Sequence, residues 1–337
     1  MILKLRTKFA QEDGLNPVHK FCLDTVADRH LFHSMLRIAS VAQGMITKGQ
    51  PMIRHLPMFL SGLTAGRSLP SVAPQPFRDI LPTIKQDVPN PKGKIAIFTG
   101  CLLDFVYVDI ATDVVKALNM AGYIVEMPLG QACCGAPATY MGDVENAKKA
   151  AEMNLNAMEA EKYDYIVSAC PTCTHALRDY VDFFKDDPEM LKKAEALRSK
   201  TFDFCKLVSM LGGLPDTGGG GPVEGTHSDS NHLNRYLGVT KEQRELLKAT
   251  KGVELIEMHD CDKCCGFGGS YSVKFPEMSA PILEEKINNI VASGADVVAV
   301  DCPGCLLQIR GGLDARGLNN IQVKHTAQIV VEKREKK

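Results

Sequence analysis

Neither sign of charge dominates this 337-residue chain: 39 Lys and Arg stand against 40 Asp and Glu, a formal charge of −1. Such a balance gives no long-range field to gather polyanions, and no basic stripe is interleaved with aromatics. Nucleic acid is therefore not an expected partner. Nowhere does an apolar run reach the roughly 18 residues a membrane span needs. The opening MILKLRTKFAQEDG also lacks the apolar centre of a signal peptide. These absences predict a cytoplasmic protein that meets a membrane, if at all, at its inner face through a partner. The hydrophobic share of 45% excludes a natively unfolded chain, and the length accommodates two domains with their own cores.

Cysteine is what the chain has in excess. Twelve occur, too many to read as disulfide staples in a reducing compartment, so metal or redox chemistry is the better expectation. Most of them fall into two series. The first runs Cys101, then Cys133-Cys134 in QACCGAPA, then Cys170 and Cys173 in CPTC; the second runs Cys264-Cys265 in DKCCGFGG, then Cys302 and Cys305 in CPGC. Matching positions are 131 or 132 residues apart, and YDYIVSACPTC answers to GADVVAVDCPGC. This is an internal duplication.

The flanking sequence alternates strand and helix. KIAIF at 94–98 reads as a strand ending in the turn that carries Cys101, and Val114, Val115 and Leu118 form one face of a helix over 109–120. YIVEM is the next strand. Val144, Ala147, Ala151, Leu155 and Met158 then recur at helical spacing before the strand that delivers Cys170. The second repeat offers VELIEM, a helix from about Ser279 with Ile282, Leu283, Ile287, Ile290 and Val291 on its apolar face, and DVVAV. Alternating βαβ units predict an α/β fold of two duplicated domains with parallel sheets, functional residues gathering at the strand carboxyl ends.

Domain boundaries follow from composition. Residues 1–93 read as an arm, with one helix carrying Leu31, Met35, Ile38, Ala42 and Met45, then an extended stretch held open by Pro51, Pro57, Pro70, Pro74 and Pro76. Residues 94–210 form the first domain and 226–327 the second. The glycine-rich segment 211–225 reads as a linker, and 328–337 as a charged, solvated tail.

Isolated cysteines are most often small buried hydrophobes, which is the reading for Cys22 and for Cys205 in FDFCKLVSML. A lone CxxC is ambiguous between a redox dithiol, a zinc half-site and a cluster ligand. Five thiols from three loops exceed what one tetrahedral zinc needs, and adjacent cysteines suit a multi-iron cluster better. Zinc and dithiol chemistry remain alternatives on spacing alone.

Cys, about 31 residues, Cys-Cys-Gly, about 35 residues, Cys-Pro-x-Cys resembles the cysteine-rich CCG domain. That domain is duplicated in a component of heterodisulfide reductase and in the iron–sulfur subunits of glycolate oxidase, anaerobic glycerol-3-phosphate dehydrogenase and lactate-utilisation complexes. The likeness runs from Lys94 to Ala327, and CCGFGGSYSVKFPEMS, SGADVVAVDCPGC and HLNRYLGV look most like the lactate and glycolate branch. The resemblance implies a non-cubane 4Fe-4S cluster on Cys101, Cys133, Cys134, Cys170 and Cys173. It implies a second, altered site on Cys264, Cys265, Cys302 and Cys305, either vacant or holding a simpler cluster.

The alteration is specific. SDSNHL at 228–233 puts Asn231 where the family pattern has its leading cysteine. Cys261 is the spare thiol nearby; His227, His232 and His175 are near the motifs, but as hydrogen-bonding residues sooner than ligands. No ferredoxin-like CxxCxxCxxxCP run and no GxGxxG fingerprint is present, so flavin and nicotinamide are assigned to partners, not to this chain. The expected function is an electron-transfer subunit of a 2-hydroxy-acid oxidoreductase, inactive alone. Its expected partners are a flavoprotein dehydrogenase, a ferredoxin-type iron–sulfur subunit and a quinone-reducing membrane partner. The alternatives are a disulfide or heterodisulfide reductase subunit and a zinc-stabilised scaffold.

Overall fold

A computed structural model describes residues 2–47, 52–53, 68–216 and 221–334. Ten strands are placed among them. A short antiparallel pair, β1 (Met52–Ile53) and β2 (Leu69–Pro70), precedes the two domains. The first domain contains β3 (Gly93–Ile97), β4 (Tyr123–Glu126), β5 (Tyr165–Ser168) and β6 (Thr201–Asp203). The second contains β7 (Val223–His227), β8 (Val253–Leu255), β9 (Val297–Val300) and β10 (Gln322–His325).

Each domain is a four-stranded sheet, and the two orders, β4-β3-β5-β6 and β8-β7-β9-β10, are the same order twice. All neighbours within them are parallel, with Ile95 opposite both Val125 and Tyr165, and Gly225 opposite both Leu255 and Val297. Parallel sheets are covered on both faces, which is why Ile95, Ala96 and Ile97 on β3 and the whole of β9 are buried. The chain crosses back over the first strand of each domain to reach the third. That reversal puts a crevice at the carboxyl ends of β3 and β5, and again at those of β7 and β9.

The duplicated α/β architecture expected from the cysteine spacing is present, with additions. A fourth strand, β6 or β10, closes each domain; FDFCKLVSML is thus the end of β6 followed by a helix at Phe204–Met210, not a single helical face. The leading strand of the second repeat forms despite its poor strand formers, because β8 and β9 pair with it on either side. It begins at Val223, inside the segment read as linker. The segment read as a solvated tail is also corrected. Thr326–Glu332 is a helix with Ile329, Val330 and Val331 buried, and Lys333 and Arg334 are buried after it. Of the linker glycines, Gly218, Gly219 and Gly220 lie outside the described residues, as do residues 335–337.

The two domains share a core. Helix Val108–Met120 of the first domain packs on the last helix of the second, Thr326–Glu332. Reciprocally, the last helix of the first domain, Phe204–Met210, packs on helix Glu242–Lys248 of the second. This exchange of contacts is that of an approximate two-fold axis within one chain, and it joins Phe204, Leu207 and Val114 to Leu283, Ile287 and Val330 in one apolar cluster.

The arm is more helical than its sequence suggested. Beside the expected helix, seen at Arg29–Thr47, there are helices at Ile2–Glu12 and Pro17–Ala27; the latter is capped by Asn16 and has Pro17 in its first turn. They lie on the first domain. Arg6 donates to Tyr140 O at 2.8 Å, Arg29 to Leu129 O at 2.8 Å, and the Phe32 ring meets Phe105 edge-on with centroids 6.4 Å apart, while Arg37 pairs with Asp79 within the arm at 2.7 Å. Pro51 and Pro57 lie outside the described residues, and so does the side chain of Met45.

Candidate metal centre

Cys-Cys-Gly is explained by backbone geometry. Gly135 and Gly266 follow the paired cysteines with φ of +78° and +82°, a left-handed conformation that side chains resist. A Cβ at either position would also press on the next helix, 3.2 Å from Ala147 O in the first domain and 2.8 Å from Ser279 O in the second. The chain turns at the glycine, leaving Cys133, Cys134 and Cys265 buried and Cys264 exposed. Cys-Pro-x-Cys works differently. Cys170 and Cys302 are the N-caps of helices Pro171–Asp179 and Pro303–Ala315, with proline in the first turn. Cys173 and Cys305 follow in that turn, where hydrogen bonds to Cys134 and Cys170, and to Cys265 and Cys302, push their thiols well up.

These loops meet in one continuous row of thiols. Cys101 contacts Cys133, Cys133 contacts Cys134, Cys134 contacts Cys173 and Cys173 contacts Cys170. In the second domain Cys302 contacts Cys305, Cys305 contacts Cys265 and Cys265 contacts Cys264. The two sets join through a contact between Cys170 and Cys302 across the domain boundary. All nine cysteines of the duplicated pattern are thereby brought together. Among the described residues no group of three or more His, Cys, Asp or Glu side chains stands where a single metal ion would be held. The thiols line an extended row instead of closing on one point.

Proton sharing along the row is uneven. Hydrogen bonds from Cys133 and Cys173 hold the Cys134 thiol down to about 6, against its burial. Cys302 and Cys265 are held well below the ordinary thiol range by their neighbours Cys170 and Cys264 respectively. The donors rise in turn. Cys133 is lowered by Cys101, yet Cys134 and burial together push it up to about 12. Each thiolate-like sulfur is flanked by thiols, so filling the row with cations requires protons to leave.

Asn231 stands at the start of a single π-helical turn, His232–Tyr236, where the first domain has Cys101 before a short helix. The two sets also differ in exposure: Cys133 is 2% exposed, whereas Cys264, its counterpart, is exposed to solvent. Cys261 does not join the row. Its sulfur faces Arg244 at 3.3 Å and Asp229 at 3.8 Å, within an ion-pair group that also includes Glu257.

The three histidines have partners of other kinds. His227 is fully buried between Asp229 at 2.9 Å and Asp301 at 2.7 Å. Burial opposes its charge, but the two carboxylates outweigh burial and raise its pKa to about 9. His232 bonds Tyr140 Oη at 2.8 Å and Thr172 Oγ1 at 3.4 Å, tying the turn of the second domain to two of the three cysteine loops of the first. His175 stacks on Tyr236 at 4.5 Å and faces Asp179 at 3.4 Å. Cys205 is fully buried against Asp301 at 3.3 Å, a packed thiol away from the row. Cys22 is exposed.

The sequence reading missed Tyr140 and Lys286. Tyr140 follows Cys-Cys-Gly by one helical turn, a spacing that placed it near the loop. Lys286 gave no signal, because a lysine in an amphipathic helix reads as solvated.

Fold and site define a duplicated cysteine-rich protein, and comparison with known sequences agrees. The cysteine-rich domain model named CCG matches residues 95–178 and 229–310. The chain belongs to this family. It is 37% identical over 240 residues to lactate utilization protein A of Shouchella clausii, covering 71% of this chain and 99% of that protein. It is also 36% identical to lactate utilization protein A of Bacillus velezensis and 35% to that of Bacillus subtilis, each over 238 residues, 70% of this chain and 98% of the relative. Among solved structures, a hypothetical protein from Helicobacter pylori aligns with TM-score 0.49 and 11% identity over 92% of this chain and 59% of its own. No helix among the described residues is long and apolar enough to cross a membrane.

Proposed function

We propose that this chain is an iron–sulfur subunit of a multi-subunit oxidoreductase that oxidises a 2-hydroxy acid such as lactate or glycolate. The observation that carries this reading is the row of nine thiols delivered by strand ends of both domains. Thiolates in such number are the donor set of multi-iron clusters. The relatives named lactate utilization protein A support lactate as the acid.

Cys101, Cys133, Cys134, Cys170 and Cys173 would hold a non-cubane 4Fe-4S cluster, and Cys264, Cys265, Cys302 and Cys305 a second centre. Bound there, such groups supply one-electron chemistry. The residues of the chain do the rest. Backbone N–H groups of Gly304 and Cys305 at the second helix N-terminus help to hold the Cys302 thiol low, and Cys133, Cys134, Cys170 and Cys173 are buried while Cys101 is half-buried. His232 fixes the relative position of the two loops it bonds. Electrons would arrive from a flavoprotein or ferredoxin-type subunit and leave to a quinone or other carrier. Exposed Phe9, Val18, Phe21, Ile38 and Val41 on the three arm helices support attachment to other subunits.

Anaerobic purification with iron and acid-labile sulfide analysis tests the reading, together with lactate-dependent dye reduction. Both elements should be present, and turnover should require a dehydrogenase partner. Zinc without sulfide, or lactate oxidation by the isolated chain, overturns it. The Cys170–Cys302 contact favours a second reading, a disulfide reductase whose substrate is divided between adjoining sets. Reduction of a disulfide by the isolated, chemically reduced protein would select that reading.

A further inference from the structure

Among the described residues, the second cysteine set has a buried cation beside it where the first has a neutral side chain. Lys286, on helix Pro276–Ser293, is 1% exposed, and its Nζ donates to Asp260 O at 2.8 Å and Cys261 O at 3.1 Å. Nearby carboxylates are already engaged elsewhere. Asp260 and Glu285 are held by Lys263 at 2.8 and 2.6 Å, and Asp229 by Arg244 at 2.8 Å and His227 at 2.9 Å. Among the described residues no carboxylate forms a salt bridge with Lys286. A buried ammonium without a counter-charge is costly. Burial holds the lysine below its ordinary range, and the sulfurs that oppose this are, in order of effect, Cys265, Cys261 and Cys305, of which Cys265 is the thiolate-like one, with a smaller contribution from Asp229.

The equivalent place in the first domain is neutral. Asn154 precedes Lys286 by the 132 residues that also separate Cys170 from Cys302, and Ala147 from Ser279 behind the two glycines. Its amide bonds the same kind of loop, donating to Cys133 O at 2.9 Å, but it carries no charge. Asn231 is the second asymmetry, since it removes one thiolate from the second set. One anion lost and one cation gained leave the second set two charges more positive than the first.

We propose that Lys286 is the counter-cation of the second thiol set and that this charge difference makes the second set the acceptor end of the row. This rests on the iron–sulfur reading above. A centre held beside Lys286 is easier to reduce, because the electron it gains is stabilised by a fixed positive charge in a low-dielectric surrounding. One electron leaves the first centre and one arrives at the second; no bond is made or broken and no proton is required. The flavoprotein or ferredoxin-type partner supplies the electron at the first set.

The test is a redox titration of the anaerobically reconstituted chain, followed by electron paramagnetic resonance. Cys133→Ser with Cys134→Ser removes the first-set signal and so assigns the second. In the unmodified protein the second-set signal should appear at the higher potential. Lys286→Met should lower it by at least tenfold in the one-electron equilibrium, which is about 59 mV, leaving the first signal in place, and Lys286→Arg should restore it. A second-set signal at or below the potential of the first overturns the inference without recourse to any variant at 286, as does a Lys286→Met titration that matches the unmodified one. Iron and sulfide at the first set alone also overturn it, while the proposed function stands. Absence of iron and sulfide from both sets defeats the proposed function itself.

Discussion

Replacing His227 by Gln removes the cation from a buried ionic group. The imidazole is fully buried, with Asp301 at 2.7 Å and Asp229 at 2.9 Å, and Asp203 lies close enough to Asp301 for each to feel the other's charge. Its pKa is raised from 6.5 to about 9 in the folded protein. At about 1.4 kcal/mol per unit, that shift corresponds to roughly 3 kcal/mol of stability. The figure falls at the lower end of the roughly 3–5 kcal/mol expected when one partner of a buried pair is removed. Because the folded value exceeds the unfolded one, the contribution is complete below about pH 6.5, declines as pH rises from there to about 9, and is lost beyond. Guanidinium denaturation of the thiol-reduced, metal-free protein at pH 6 and at pH 10 checks this. The unmodified protein should exceed His227→Gln by about 3 kcal/mol at the lower pH, with most of the difference gone at the higher. A difference below about 1 kcal/mol at pH 6, or one equally large at pH 10, would refute the assignment of His227 as a charged keystone.

Cys205→Ala and Cys22→Ala should each leave iron and sulfide unchanged, with Cys205→Ala alone lowering the melting temperature, since only that sulfur is buried; loss of iron on the Cys205 change would contradict its placement away from the row. Gly266→Ala should destabilise the second set by about 1–3 kcal/mol through left-handed strain and pressure on Ser279 O. The measurement is iron at the second set in the Cys133→Ser, Cys134→Ser background, and unchanged iron would count against the turn argument. Asn231→Cys should raise iron and sulfide per chain and cover Cys264, read as slower alkylation of that thiol in the metal-free protein; alkylation at the unmodified rate would mean position 231 does not face it.

Much of this architecture was legible because cysteine spacing, glycine and apolar runs are local signals. The duplication, the strand before each motif and the helix at Val144–Met158 followed from them. The fourth strands did not, since Thr201–Asp203 is only 3 residues long and is made a strand by pairing with β5. The arm helix Pro17–Ala27 was signalled by Asn16 and Pro17 but carries too weak an apolar face to stand out. The contact between Cys170 and Cys302 depends on how two sheets meet, which no spacing encodes. Burial of Lys286 is of the same kind. His227 looked like a loop histidine until the carboxyl end of β7 placed it between two carboxylates contributed by other segments.

The central claim is that the strand-end cysteines hold iron and sulfide, and the most direct test is their quantitation in anaerobically purified protein alongside the Cys133→Ser, Cys134→Ser variant. The account predicts both elements and visible absorbance in the unmodified chain, with the share belonging to the first set absent from the variant. Zinc in place of iron, or full iron and sulfide retained after both substitutions, would contradict it.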